Sequence, residues 1–348
     1  MRVLIFGGAG FIGSNVAEFY AKKDAEITIF DNLSRKGTIA NLKYLQKKFK
    51  EKIRFIHGDV RIKNDLNKLN SILPKIDFVV HLAAQVAVTT SITNPEEDFE
   101  INARGTFNVL EKVRQIKEKS GNNPVFIYSS TNKVYGGMED LIIVDRGEEY
   151  DYKDLPNGIK ENRLLDFHSP YGCSKGTGDQ YVRDYARIYG LNTVVMRQSC
   201  IYGKRQFGVE DQGWVAWFVI ANNLGKPITI YGDGKQIRDV LWVEDLINAY
   251  ELARQNIKIS RGKCYNVGGG SRNKMSLLQL IEKLEKNNKF EKSFDDWRPG
   301  DQKVCIMDIS KAKSELGWEP TVSPEEGVKM LNDWVKENIE EIKEFFPN

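Results

Sequence analysis

The stretch Val3-Leu4-Ile5-Phe6-Gly7-Gly8-Ala9-Gly10-Phe11-Ile12-Gly13-Ser14 decides the fold. Its apolar run has no polar break, as in a strand covered on both faces, and it passes directly into a glycine turn and a helical pattern. Glycines let the main chain turn tightly and approach a bulky anion, and the free N–H groups at a helix start favour negative charge. About twenty residues further on, Asp31 closes the next apolar run, Glu26–Phe30. A carboxylate there accepts hydrogen bonds from an adenosine ribose and repels a 2′-phosphate. The spacing therefore predicts a dinucleotide site, with NAD favoured over NADP.

Working outward, apolar runs at Ile53–His57, Phe78–His81, Val125–Ser129 and Thr193–Arg197 alternate with helical patterns at Gly13–Lys22, Phe99–Lys117 and Ser174–Tyr189. This alternation of strands and helices predicts class α/β, a Rossmann-type doubly wound parallel sheet of six strands. The pattern loosens at Gly137–His168, a long polar segment with the turn Pro156-Asn157-Gly158, which reads as a functional loop. A strand–helix unit at Arg238–Ala253, a strand at Cys264–Val267 and helices at Ser276–Lys286 and Pro324–Asn338 complete the chain. The expected division is a dinucleotide domain of residues 1–199 and 236–268, interleaved with a smaller C-terminal substrate-binding region of residues 200–235 and 269–348.

The 348 residues are 41% hydrophobic and 28% charged, a globular balance. Lys and Arg number 51 against 48 Asp and Glu, so bulk electrostatics exclude a nucleic-acid partner, and the Lys43–Lys52 run reads as a solvated helix face. Cys173, Cys200, Cys264 and Cys305 show no C-x-x-C spacing, and His57, His81 and His168 are equally scattered. No metal site is expected. Free thiols, the lack of a signal-peptide pattern and the lack of a membrane-length apolar run lead to the expectation of a cytoplasmic protein with no membrane partner.

Tyr171 and Lys175, in Tyr171-Gly172-Cys173-Ser174-Lys175, fall on one face of a helix. A free phenol has a pKa of about 10; an adjacent ammonium and a positive nicotinamide ring are expected to lower it, making a base able to take a proton from a sugar hydroxyl. Tyr128-Ser129-Ser130-Thr131-Asn132-Lys133-Val134-Tyr135-Gly136 ends the preceding strand, and the Thr131 hydroxyl can share the proton with Tyr171. His81, without a nucleophile or metal partner, reads as a packing residue, and Trp214 and Trp217 read as core before they read as base-stacking groups.

These motifs resemble the extended short-chain dehydrogenase/reductase family, the NAD-dependent nucleotide-sugar epimerases and dehydratases. The likeness runs through Gly7–Gly13, Asp31, Asp59-Val60, His81–Ala84, Asn102–Glu111, Tyr171/Lys175, Arg238-Asp239-Val240 and the tail Ser310-Lys311-Ala312 with Gly317-Trp318. It implies Thr131, Tyr171 and Lys175 as catalytic residues. For the cofactor it implies Gly7, Gly10, Phe11, Ile12 and Gly13 at the pyrophosphate, and Asp31, Asn32, Ser34, Arg35, Asp59 and Val60 at the adenosine. It adds Leu82, Ala83, Ala84, Ser129, Tyr171 and Lys175 to the cofactor residues.

For the substrate it implies Thr131, Asn132, Arg205, Gln206, Arg238, Arg298 and Asp301. The family's 4,6-dehydratases carry an Asp-Glu pair where this chain has Asn132 and Lys133, so elimination of water is not expected here. The runs Ser129–Gly136, Leu165–Lys175 and Arg205–Trp214 are similar to the branch that inverts C2 of CDP-linked 3,6-dideoxyhexoses, which implies a CDP-sugar substrate. A UDP-hexose 4-epimerase and a non-catalytic NAD-binding protein stand as alternatives. The resemblance also implies a homo-oligomer, a dimer or dimer of dimers, built on Phe99–Lys117 and Ser174–Tyr189 with Val109, Val113, Tyr181, Tyr185 and Ile188 as candidate contacts.

Overall fold

The computed structural model describes residues 1–286, 289, 291–298 and 300–346. Its main sheet has seven strands: β1 (Arg2–Phe6), β2 (Glu26–Asp31), β3 (Ile53–His57), β4 (Phe78–His81), β5 (Val125–Thr131), β6 (Asn192–Gln198) and β7 (Cys264–Val267). All neighbours are parallel, in the order β7-β6-β5-β4-β1-β2-β3. The six strands of the expected sheet are thus extended by a seventh, Cys264–Val267, from the later part of the chain. The strand order reverses at β1, which lies between β2 and β4, and this opens a crevice at the carboxyl ends.

Side chains alternate along a strand, so an unbroken apolar strand needs cover on both faces. Val3 and Ile5 of β1 pack with Val16 and Tyr20 of α1 (Phe11–Lys22) and with Leu246 and Tyr250 of a later helix, Val243–Gln255. Leu4 and Phe6 face the other way. They join Val109 and Val113, within helix Gly105–Ser120, and Val182 and Tyr185, within helix Ser169–Tyr189. Val109, Val113 and Tyr185, expected as contacts to a second copy, are therefore core residues, whereas Tyr181 and Ile188 are exposed.

Three boundaries depart from the sequence reading for local reasons. The helix expected over Phe99–Lys117 opens with a π-helical turn, Glu100–Arg104. That wider turn carries Asn102, whose amide donates to Gln85 O, Asp98 Oδ1 and Ser174 Oγ. The Tyr171/Lys175 helix starts at Ser169 rather than Ser174, with Pro170 in its first turn. Gly137–His168, expected as a functional loop, instead forms a hairpin (Ile143–Asp145 with Tyr150–Tyr152) and packs Tyr152 and Ile159 on Val304–Met307. Its role is to build a small core.

Ile237–Trp242, grouped by sequence with the dinucleotide domain, leaves the main sheet. It pairs antiparallel with Lys274–Ser276 and parallel with Val304–Cys305 and Cys200–Tyr202. Its side chains explain the difference: Ile237, Leu241 and Trp242 enter three separate apolar clusters, so the strand is a seam between regions.

Further ties cross this seam. Asn15 Nδ2 donates to Lys204 O at 2.9 Å, and Asn41 Nδ2 to Ala9 O and Arg205 O at 3.2 and 3.3 Å. Gly37, with φ +79°, lies flat on Phe207, where a Cβ would come within 2.8 Å of the ring. Phe207 meets Phe345 at 4.9 Å between centroids, and Lys36 Nζ sits 4.3 Å over Phe346. Among the described residues no helix is long and apolar enough to cross a membrane.

Asp179 and Arg197 form a fully buried ion pair between helix Ser169–Tyr189 and β6. Arg197 Nε and Nη2 donate to the two carboxylate oxygens at 2.9 and 3.1 Å, and Ser130 Oγ of β5 donates to Oδ2 at 2.8 Å. Removing one member of such a pair strands the other charge in the core. Asp179→Ala is expected to lower unfolding free energy by about 3–5 kcal/mol in urea denaturation. A loss below about 1 kcal/mol, as for a surface pair, would contradict this assignment.

Candidate active site

At the carboxyl ends of the main sheet lies a cavity of about 520 Å³. Every residue expected at the cofactor, substrate or reacting carbon borders it. Gly7, Gly10, Phe11, Ile12 and Gly13 form one wall, and Asp31, Asn32, Ser34 and Arg35 follow β2. Asp59 and Val60 follow β3; Leu82, Ala83 and Ala84 follow β4. Ser129, Thr131 and Asn132 come from β5 and its end, with Tyr171 and Lys175 facing them. Arg205, Gln206, Arg238, Arg298 and Asp301 close the far side. Pro299, within the Trp297–Asp301 motif, lies outside the described residues.

The glycine wall is shaped by close approach of backbone to backbone. Gly7 has φ +74°, and a Cβ there would fall 2.7 Å from Ala83 N; one on Gly13 would fall 2.6 Å from Gly8 Cα. Helix α1 begins at Gly10 with no side-chain cap, which leaves its first-turn N–H groups to an anion. Asp31 is held from behind: Ala9 N and Leu33 N donate to its two oxygens at 3.0 and 2.8 Å. Asp59 is fixed by Arg61 and by Asn32 Nδ2, at 2.7 and 2.9 Å. The Arg35 guanidinium hydrogen-bonds Gln212 and so links the loop after β2 to the segment before Trp214. These features fit a dinucleotide.

At the reacting end, burial pushes the Tyr171 phenol up to about 12; the Thr131 hydroxyl pulls it down, Asp98 adds to the rise and Arg35 opposes it. The acidified phenol expected from the Tyr–Lys spacing is therefore not supplied by the chain alone. The first cause is the burial of the phenol itself, which Lys175 does not offset. Burial brings the Lys175 ammonium down to about 7, against the pull of Asp98 and Asp179, and its near neighbour is the Tyr128 ring, 4.4 Å away. No hydrogen-bond acceptor among the described residues reaches Lys175 Nζ, so the cavity holds a donor awaiting a partner.

Thr131 Oγ1 donates to Asn132 Oδ1 at 3.2 Å, and Asn132 Nδ2 donates to the buried Cys305 Sγ at 2.9 Å. The thiol thus orients the amide. None of the carboxylates bordering the cavity hydrogen-bonds Thr131 or Tyr171 among the described residues. At the far side Arg238 Nη2 pairs with Asp301 Oδ1 at 2.6 Å, and Arg298 Nη2 with Asp211 Oδ1 at 3.1 Å. Arg205 borders the cavity, yet its guanidinium stacks 3.1 Å from the centre of the Tyr44 ring, outside the lining.

His81 sits beneath the site with Nε2 3.1 Å from Thr106 Oγ1, held neutral by burial that lowers its pKa to about 3. Trp214 borders the cavity, but Trp217 packs on Phe346. Lys133, for which the sequence left a substrate role open, also borders it. The exposed trio Glu139, Asp166 and His168 comes together away from the cavity, with the His168 ring nitrogens 3.7 and 3.2 Å from the two carboxylates.

The model of the GDP-mannose 4,6 dehydratase family matches residues 4–331. The chain is 48% identical to CDP-paratose 2-epimerase of Salmonella typhi, over 96% of this chain and 99% of that one. Among solved structures it resembles the UDP-glucose 4-epimerase of Thermotoga maritima with UDP-glucose, at 30% identity and a TM-score of 0.82, over 97% of this chain and 100% of that one. It also resembles UDP-glucuronic acid 4-epimerase from Bacillus cereus in complex with UDP-glucuronic acid and NAD, at 29% identity and a TM-score of 0.81, over 97% and 99% of the two chains.

Lys175 gives a measurable pH signature. Its pKa is about 7 in the fold against an ordinary 10.5, so between these values the unfolded chain holds more protons and stability rises with pH. Below about 7 both states are protonated and this contribution is flat. In protein stripped of nucleotide, Lys175→Met is expected to flatten the rise in urea-denaturation stability between pH 7 and about 9. An unchanged slope would contradict the burial effect.

Proposed function

The chain belongs to the GDP-mannose 4,6 dehydratase family, and on that premise we propose that it is an NAD-dependent isomerase that inverts C2 of a CDP-linked 3,6-dideoxyhexose, converting CDP-paratose to CDP-tyvelose. The observation that carries the reading is the proton inventory at the reacting end. Thr131, Tyr171 and Asn132 meet there, and no carboxylate engages the hydroxyl or the phenol among the described residues. Elimination of water needs a carboxyl acid and base; inversion needs one proton shuttle and a reversible oxidation. The 48% identity to CDP-paratose 2-epimerase supports the choice of C2 and of a CDP-sugar.

In this reading the Gly7–Gly13 turn and the α1 N-terminus receive the NAD pyrophosphate, and Asp31 receives the adenosine ribose, with Asn32, Ser34 and Arg35 around it. Asp59 and Val60 border the adenine, and Leu82, Ala83, Ala84 and Ser129 border the nicotinamide side. When bound, NAD supplies an acceptor for the carbinol hydrogen and its electron pair and returns them. Tyr171 takes the C2 hydroxyl proton and later gives it back, while Thr131 holds the reacting oxygen. Lys175 would hold the nicotinamide ribose, and the cationic ring that NAD supplies would lower the Tyr171 pKa from its high resting value. The transient 2-keto sugar presents its other face before reduction.

The seam strand refines the division of labour: residues 1–199 and 243–268 serve the cofactor, and residues 200–242 and 269–346 grip the nucleotide sugar. Phe107 and Tyr181, packed edge to face at 5.8 Å, and Ile188 form an exposed apolar row that supports a homo-oligomer.

Incubated with CDP-paratose and with UDP-glucose, the purified protein is expected to form a new epimer from the CDP-sugar. Activity on UDP-glucose alone would favour the 4-epimerase alternative. Tyr171→Phe should lower kcat by about 10²–10⁴ while bound NAD absorbance persists, as for loss of a general base. Near-normal turnover would refute the role of Tyr171.

A further inference from the structure

The cations bordering the cavity differ in how their charge is answered. Arg238 faces Asp301 at 2.6 Å, Arg298 faces Asp211 at 3.1 Å and lies 3.7 Å over the Tyr231 ring, and Arg205 is stacked on Tyr44. Lys133, like Arg35 and Lys175, has no salt-bridge partner among the described residues, and it lies beside Arg238 and Asp301. Its Nζ donates to Gly300 O at 3.3 Å and to Gln302 Oε1 at 3.2 Å, both neutral, and it makes no ion pair among the described residues. Burial, and then the neighbouring Arg238, lower its pKa, while Asp301 raises it. The trio Lys133, Arg238 and Asp301 therefore carries one net positive charge, and Lys133 is its uncompensated member.

A partly desolvated ammonium beside a second cation is less favourable until an anion joins it, because a lower local dielectric strengthens repulsion and attraction alike. Gln302 Nε2 already ties this segment to Gly136 O, and the Arg238–Asp301 pair ties it to the seam strand, so a purely structural role for Lys133 is redundant. The position along the chain adds a chemical constraint. Lys133 stands two residues from Thr131, where the reacting hydroxyl is held in the proposed function. In a nucleotide sugar the diphosphate is attached at C1, next to C2, whereas C4 lies across the ring. A cation so close to the reacting hydroxyl suits a substrate whose oxidised carbon adjoins the phosphate-bearing one.

We propose that Lys133 is the second cation of the diphosphate subsite, receiving the nucleotide-sugar diphosphate together with Arg238. This rests on the nucleotide-sugar reading above and assigns the charge that reading needs. Lys133 supplies the net attraction; Arg238, held in place by Asp301, supplies a fixed fork of donors.

The test is calorimetric titration of the NAD-loaded protein with CDP and, as the phosphate-free control, cytidine. Lys133→Gln is expected to weaken CDP by about ten- to a hundredfold, the loss of one charge-assisted hydrogen bond, and to shift cytidine by less than about twofold. Lys133→Arg, which keeps the charge, should recover most of the CDP affinity. CDP binding unchanged in Lys133→Gln, or lost in equal proportion with cytidine, would overturn the assignment of Lys133 alone. Wild-type protein that ignores CDP would overturn both this assignment and the CDP-sugar reading.

Discussion

The position of helix Ser169–Tyr189 against β5 and β6 is the constraint on which the site depends. One buried carboxylate, Asp179, takes two hydrogen bonds from Arg197 on β6 and one from Ser130 on β5. Ser130 precedes Thr131, and Asp179 lies on the helix that carries Tyr171 and Lys175. Three elements that share no local sequence are thereby fixed in one register, with hydroxyl and phenol on the same cavity. Two opposite charges enclosed in this way hold each other directly, so the geometry is specified as well as stabilised.

Much of this was legible in the sequence because it rests on local periodicity. The apolar runs ending at Phe6 and His81 mark strands covered on both faces, whereas the run ending at His57 is a partly exposed edge strand, and the glycine turn follows β1 without a linker. The residues around β1 to β5 therefore assemble as their spacing implies. Ile237–Trp242 was harder: an apolar strand followed by a helix has the same pattern whether it extends the main sheet or pairs elsewhere. Its true partners lie near residues 200, 275 and 305, and their selection depends on long-range packing that periodicity does not encode. The segment Gly137–His168 was misread for a related reason, since its polar composition conceals Tyr152 and Ile159, two anchors for a small core.

Charge was the least legible property. Tyr and Lys four residues apart suggest an ammonium acting on a phenol, yet burial depresses the lysine and raises the tyrosine in the chain by itself. The spacing gives proximity; solvation gives the sign of the effect, and solvation is a property of the folded whole. The same holds for Asn132. Its residue type excludes carboxylate chemistry from sequence alone, but only the fold brings Cys305 against its amide nitrogen and leaves its oxygen to Thr131. The cavity is accordingly divided, with neutral hydrogen-bonding groups at the hydroxyl and phenol and cations toward the seam.

The ties across that seam couple distant parts of the chain. Gly37 rests on Phe207, Lys36 on Phe346, and Asn15 and Asn41 on the carbonyls of Lys204 and Arg205. They gather the loop after β2, which flanks Asp31, under residues from the far end of the chain. Displacing the loop beside Asp31 therefore means breaking contacts to residues far along the chain, so loosening of that rim of the cavity and loosening of the C-terminal packing are one event.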